Sequence, residues 1–163
     1  MTPPSILAAC DDAERASVLA ALVESDPSLR QQAEEVARQH LATVDIPAVT
    51  DTVTDALLQL GTEDLANRAG PRRHGYVEPT EAAWQLLQEV LEPWIDDLSR
   101  RAQLGLHRAA VDLGTALLHA LDCAEERTDQ TNGCLLREWA PDFLAEATWQ
   151  VERAMDAIRL RDQ

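Results

Sequence analysis

Only at Arg72-Arg73-His74-Gly75-Tyr76 do two guanidiniums and an imidazole fall on consecutive residues of this chain. A guanidinium fork binds carboxylate or phosphate through two parallel hydrogen bonds. Tyr76 and the nearby Trp84 would add flat contact area. These five residues are the candidate binding site, for a small anion or for a docking segment of another protein. The competing reading is that Arg72 and Arg73 pair with the chain's own acids, of which there are 29.

The remaining reactive side chains do not assemble into a reaction centre. No two of His40, His74, His107 and His119 stand four apart, and there is no HExxH. His107 and His119 would project about 120° apart on one helix. His40 lies on an apolar stripe and reads as a core histidine. The adjacent acids Asp96-Asp97, Glu125-Glu126 and Glu34-Glu35 would each point about 100° apart on a helix, so no pair converges on one substrate atom. Cys10, Cys123 and Cys134 form no CxxC pair, and an odd number cannot close a disulfide set. With six glycines, most of them at expected helix ends, nucleophile elbows and phosphate-cradling loops are absent. The expectation is a chain that is not an enzyme, with no cofactor and no metal ligand.

Net charge is −15, with all 14 cations Arg. Both halves are acidic, which opposes direct binding to nucleic acid or anionic lipid. Such a surface suits solubility, a basic protein partner, or an acidic inhibitor that mimics nucleic acid. Arg in place of Lys, with abundant Ala, matches the composition of high-GC bacteria. The start, Met1 to Ala9, lacks a basic segment followed by a long apolar run, and no stretch approaches the roughly 20 apolar residues of a membrane helix. A cytoplasmic location is expected.

Ala and Leu dominate the hydrophobic residues and aromatics are 4%, which favours helix over strand. Asp11 and Asp12 can cap a helix to about Val23. Asp26-Pro27 and Asp45-Ile46-Pro47 are helix starts, with a capping carboxylate followed by proline in the first turn. The stripe Leu29, Ala33, Val36, Ala37, His40 and Leu41 predicts one buried helix face. Gly61 is expected to close the next helix in a left-handed conformation, with Thr62 capping a short one that ends at Gly70. Residues 70–79 form an irregular basic link. Thr80 is expected to cap a long helix to about Leu104, kinked or broken near Leu91-Glu92 by Pro93. Gly105 turns the chain into a helix from Leu106 to about Arg127. A polar loop over Thr128 to Gly133 and a last helix after Pro141 complete the chain.

The Leu104-Gly105 corner followed by Ala109-Ala110 is similar to the corner of a tetratricopeptide repeat, although the characteristic Trp, Tyr and Pro positions do not line up. An ordinary helical hairpin is the favoured reading over a true repeat. The segment from His74 to Trp84, with Leu91-Glu92-Pro93-Trp94, resembles uncharacterised bacterial α-helical proteins of tetratricopeptide or HEAT-like type. Relatives of these occur beside SWIM-type zinc fingers. The resemblance covers about residues 50–130 and implies a helical repeat-like domain with no assigned activity. The CxC…CxH ligands of a SWIM finger are missing, so no zinc follows from it.

The reading is an all-α chain of antiparallel helix pairs, about six or seven helices in one solenoid-like array. It forms one domain over residues 1–163, with the 70–79 link as the place where it could subdivide. The expected function is a non-catalytic protein-interaction or scaffold module. A small-ligand or anion-binding protein centred on Arg72 to Tyr76 is the alternative, and an acidic mimic is the other. The expected partner is another protein, and exposed apolar array ends would favour a homodimer.

Overall fold

The computed structural model describes residues 6–73, 75–130 and 134–161. It is all-α apart from one small ribbon, with helices α1 (Ile6–Ala9), α2 (Asp12–Ser25), α3 (Pro27–Leu41), α4 (Ile46–Gln59) and α5 (Thr62–Arg68). Strands β1 (Gly70–Arg72) and β2 (Gly75–Val77) follow, then α6 (Pro79–Gln103), α7 (His107–Thr128), α8 (Leu135–Glu138) and α9 (Phe143–Arg161). Seven of the nine described helices exceed one turn, which matches the expected number. No helix among the described residues is long and apolar enough to cross a membrane.

The chain divides into two compact units, residues 1–42 and 43–163. The division falls after Ala42, and residues 70–79 lie inside the second unit. The first unit holds α1 and the antiparallel pair α2–α3. Asp11 caps α2 by accepting from the Glu14 N–H at 2.8 Å, while the Glu14 carboxylate accepts from the Asp11 N–H at 2.9 Å. Asp26 caps α3 by accepting from the Ser28 N–H at 2.7 Å, with Pro27 in the first turn. These starts follow the sequence. The burial expected of the stripes does not: neither α2 nor α3 holds a buried residue, and Val36 is 65% exposed. His40 is likewise exposed on this surface and is not a core histidine. Two helices have only one shared line of contact, so each leaves most of its apolar face uncovered.

In the second unit, the helices gather around α7, which packs against α4, α6 and α9. Its expected inward residues, among them Ala110, Leu113, Leu117, Ala120 and Leu121, are all buried. Alanines let the neighbours approach closely, and two threonines of α4 exploit this. Thr50 Oγ1 donates to the Ala116 carbonyl and Thr54 Oγ1 to the Ala120 carbonyl, each at 3.1 Å. Arg127 of α7 also reaches Asp55 of α4 at 3.0 Å. Gly114, on the same helix, is buried against Met155 of α9 and Leu98 of α6. The α6–α7 corner forms as expected: Gly105 has φ +75, its N–H donates to the Ala102 carbonyl, and the Leu106 N–H donates to the Arg101 carbonyl at 2.9 Å.

Four local expectations are corrected. Gly61 has φ −129, so it is not left-handed; it is itself the N-cap of α5, and its N–H donates to Asp64 at 2.9 Å. Helix α6 begins at Pro79 after Glu78, one residue before the expected Thr80 cap, because proline already has the φ of a first helical residue. Pro93 does not break α6, which continues to Gln103; the ring lies on the exposed side, where the lost N–H leaves no buried donor or acceptor behind. Gly70–Arg72 and Gly75–Val77 pair as an antiparallel ribbon with Pro71 opposite Tyr76. Strands of three residues are too short to show an alternating pattern.

Candidate functional site

The structure describes the side chains of three of the five residues singled out from sequence, and places Trp84 apart from Arg73 and Tyr76. Arg72 contributes backbone to β1 and pairs in register with Gly75. Arg73 is exposed at the turn, and His74 lies outside the described residues. Tyr76 sits on β2 and is 60% exposed. Trp84 is elsewhere in the packing: it is half-buried on α6 with its ring edge-on to Phe143 of α9, centroids 5.2 Å apart and planes at 73°. This is the favoured edge-to-face arrangement of two quadrupoles.

Trp84 and Phe143 form the floor of a cleft of about 220 Å³ between α6 and α9. The sequence produces it through two offset stripes. On α6 the apolar residues Trp84, Leu91 and Ile95 face α9, and Gln88, Glu92 and Asp96 run along their flank at four-residue intervals. On α9, Phe143 and Ala147 face back, flanked by Glu146 and Gln150. Where two such stripes meet, the inner rows close on one another and the outer rows become a rim.

That rim is acidic. Among the described residues, Glu92, Asp96 and Glu146 have no ion pair with a guanidinium. At the rim, Gln150 Nε2 donates to Glu146 Oε1 at 3.1 Å. Asp97, the next residue along, behaves oppositely because it points about 100° away on the helix. It accepts from Arg101 Nε at 2.8 Å and from Arg100 Nε at 3.0 Å. Partial burial of Asp97 would raise its pKa, but the hydrogen bonds and charges of the two guanidiniums outweigh burial and hold the carboxyl below its ordinary value. The pair Asp96-Asp97 therefore splits, as adjacent helix positions require, into one carboxylate neutralised within α6 and one left facing the cleft.

The cleft walls carry no histidine, cysteine, serine or threonine. Among the described residues, no group of three His, Cys, Asp or Glu side chains is placed to hold a metal ion. The volume is below the roughly 300 Å³ at which sites for drug-sized molecules begin, and suits one or two side chains. An aromatic floor under unpaired carboxylates favours a cation with an apolar stem, since Arg and Lys lay their methylenes on apolar surface while the charge meets the rim.

A larger, shallower cleft of about 670 Å³ lies between α7, α8 and α9. Its acids Asp122, Glu125 and Asp129 share it with Arg137, which donates to the Asp129 carbonyl at 3.4 Å. This cationic member makes it less one-sided than the α6–α9 cleft. Neither cleft is lined by Pro71, Arg73, Tyr76 or Val77.

Sequence reasoning found Trp84 and missed Phe143, Glu92, Asp96 and Glu146. The signal for the α6 half was present in the four-residue spacing of Gln88, Glu92 and Asp96 beside the apolar stripe. Nothing in the spacing of either helix says that α9 lies against this part of α6. Compared with known proteins, the chain matches no family model, no curated protein and no solved structure.

Proposed function

We propose that this chain is a non-catalytic protein-interaction module, with the α6–α9 cleft as the place where a basic, amphipathic segment of another protein docks. The observation that carries this reading is the set of three unpaired carboxylates, Glu92, Asp96 and Glu146, around the floor of Trp84, Leu91 and Phe143. On a chain of net charge −15, such a mouth attracts cationic segments from a distance and then offers them apolar contact. Walls without His, Cys, Ser or Thr, and a small volume, favour docking over turnover.

The test places a photo-crosslinking side chain at Gln88 and compares the native rim with the double variant Glu92→Arg/Asp96→Arg. The expected result is a crosslink to an Arg- or Lys-rich segment of one partner, lost on charge reversal while far-UV circular dichroism is unchanged. Crosslinks insensitive to the reversal, or to acidic segments, would refute the reading.

A further inference from the structure

Helices α2 and α3 present the most apolar concave surface of the first unit. Leu19, Leu22 and Val23 of α2 and Leu29, Ala33 and Val36 of α3 border a groove of about 450 Å³, with Gln32, Ala37 and His40 completing it. Leu19 is 54% exposed, Leu22 46% and Val36 65%. No residue of either helix is buried, so the pair as it stands has no core. A helix pair gains most of its stability from tertiary packing of its apolar face, and helices of 14 and 15 residues are marginal alone.

We infer that this face is the interface of a homodimer, in which two α2–α3 pairs close into a four-helix bundle. The argument for a second copy is charge. The chain carries −15, yet the groove contains no Asp, Glu or Arg. A basic partner would find no carboxylate there to recognise. Two copies of an acidic chain can meet without opposing like charges only through an uncharged patch, and an isologous contact sets the patch against itself. The near-equal helix lengths let the two faces coincide end to end. At 1.5 Å per residue and roughly 10 Å per helix width, the two copies together offer an interface footprint of about 900 Å². That falls just short of the roughly 1,000 Å² of a specific stable contact, so the dimer is a weak one. This inference is independent of the α6–α9 cleft.

Sedimentation velocity of the full chain, from low micromolar to near-millimolar concentration, tests it. The expected result is a reversible monomer–dimer equilibrium. Val36→Glu should raise the dissociation constant by at least about 100-fold, since it buries an unpaired carboxylate. A chain that stays monomeric throughout overturns the inference, as it would if another protein or another part of the same chain covers this face. A dimer that survives Val36→Glu overturns it too. Amide hydrogen exchange on the unmodified chain guards against simple unfolding of the variant. Protection in α2 and α3 should rise with protein concentration; protection that is independent of concentration there refutes the inference.

Discussion

Adding one methyl group at Gly114 asks whether the close approach of α7 to its neighbours is real. A Cβ at this position would lie 2.6 Å from both Cγ and Sδ of Met155 and 3.2 Å from Leu98 Cδ1, against an optimum of about 3.5–4.0 Å for carbon contacts. Met155 is 3% exposed and Leu98 1%, so neither can swing into solvent; α9 must shift by about an ångström or Met155 must leave its rotamer. Overpacking of this kind costs about 2 kcal/mol. Replacing a helical glycine by alanine returns about 1 kcal/mol. Gly114→Ala should therefore destabilise by about 1 kcal/mol, opposite in sign to the propensity rule. Met155→Ala alone should cost about 2–5 kcal/mol through the cavity it leaves. In that background the clash is gone, and Gly114→Ala should stabilise by about 1 kcal/mol, a coupling of about 2 kcal/mol. Urea unfolding followed by tryptophan fluorescence is the assay, because Trp84, Trp94, Trp139 and Trp149 all lie within residues 43–163 and report on that unit alone. With a slope of about 2 kcal/mol per molar urea, the single variant's midpoint should fall by about 0.5 M. If Gly114→Ala stabilises equally in both backgrounds, the packing of α7 against α9 described above is wrong.

Three further outcomes are expected. Thr54→Val should lower stability by about 1 kcal/mol, a fall of about 4 °C in the thermal midpoint, because the 1%-exposed hydroxyl loses its bond to the Ala120 carbonyl while that carbonyl keeps its helical partner. Gly105→Ala should cost about 1 kcal/mol in the same measurement, since φ +75 places a side chain in the left-handed region. The carboxyl of Asp97 is held below its ordinary 3.8 in the fold, so the unfolded chain binds the proton more readily and acid favours unfolding. The stability difference between the native chain and Asp97→Asn should be constant above the ordinary value, and should shrink as pH falls through 3.8 and on through the lowered folded value; urea midpoints over an acid series would show a pH-independent difference if the Arg100 and Arg101 contacts do not form.

Helix starts were legible because each depends on residues within one turn. Asp11 with Glu14, Asp26 with Pro27 and Asp45 with Pro47 carry their caps in the local chain, and the α6–α7 corner at Gly105 is equally local. The inward face of α7 was legible from its period. Where reading went astray, the deciding partner lay far along the chain or was missing. The stripe of α3 has the same spacing as that of α7, yet α7 has three helices around it while α3 packs mainly on α2 within its unit. The polar row Gln88, Glu92 and Asp96, spaced four residues apart, became a cleft rim only because Phe143 and Glu146 of α9 lie beside it.

What the amino-acid order alone determined, then, is the helical character, most of the helix boundaries and the net acidity of the chain. Hydrogen bonds within a helix and at its caps join residues three or four apart, so their outcome is written locally. Which stripe becomes core, which stays bare and which acids are left unpaired was decided by tertiary packing. A hydrophobic face is indifferent to the identity of its cover, because burial scales with area and has no direction.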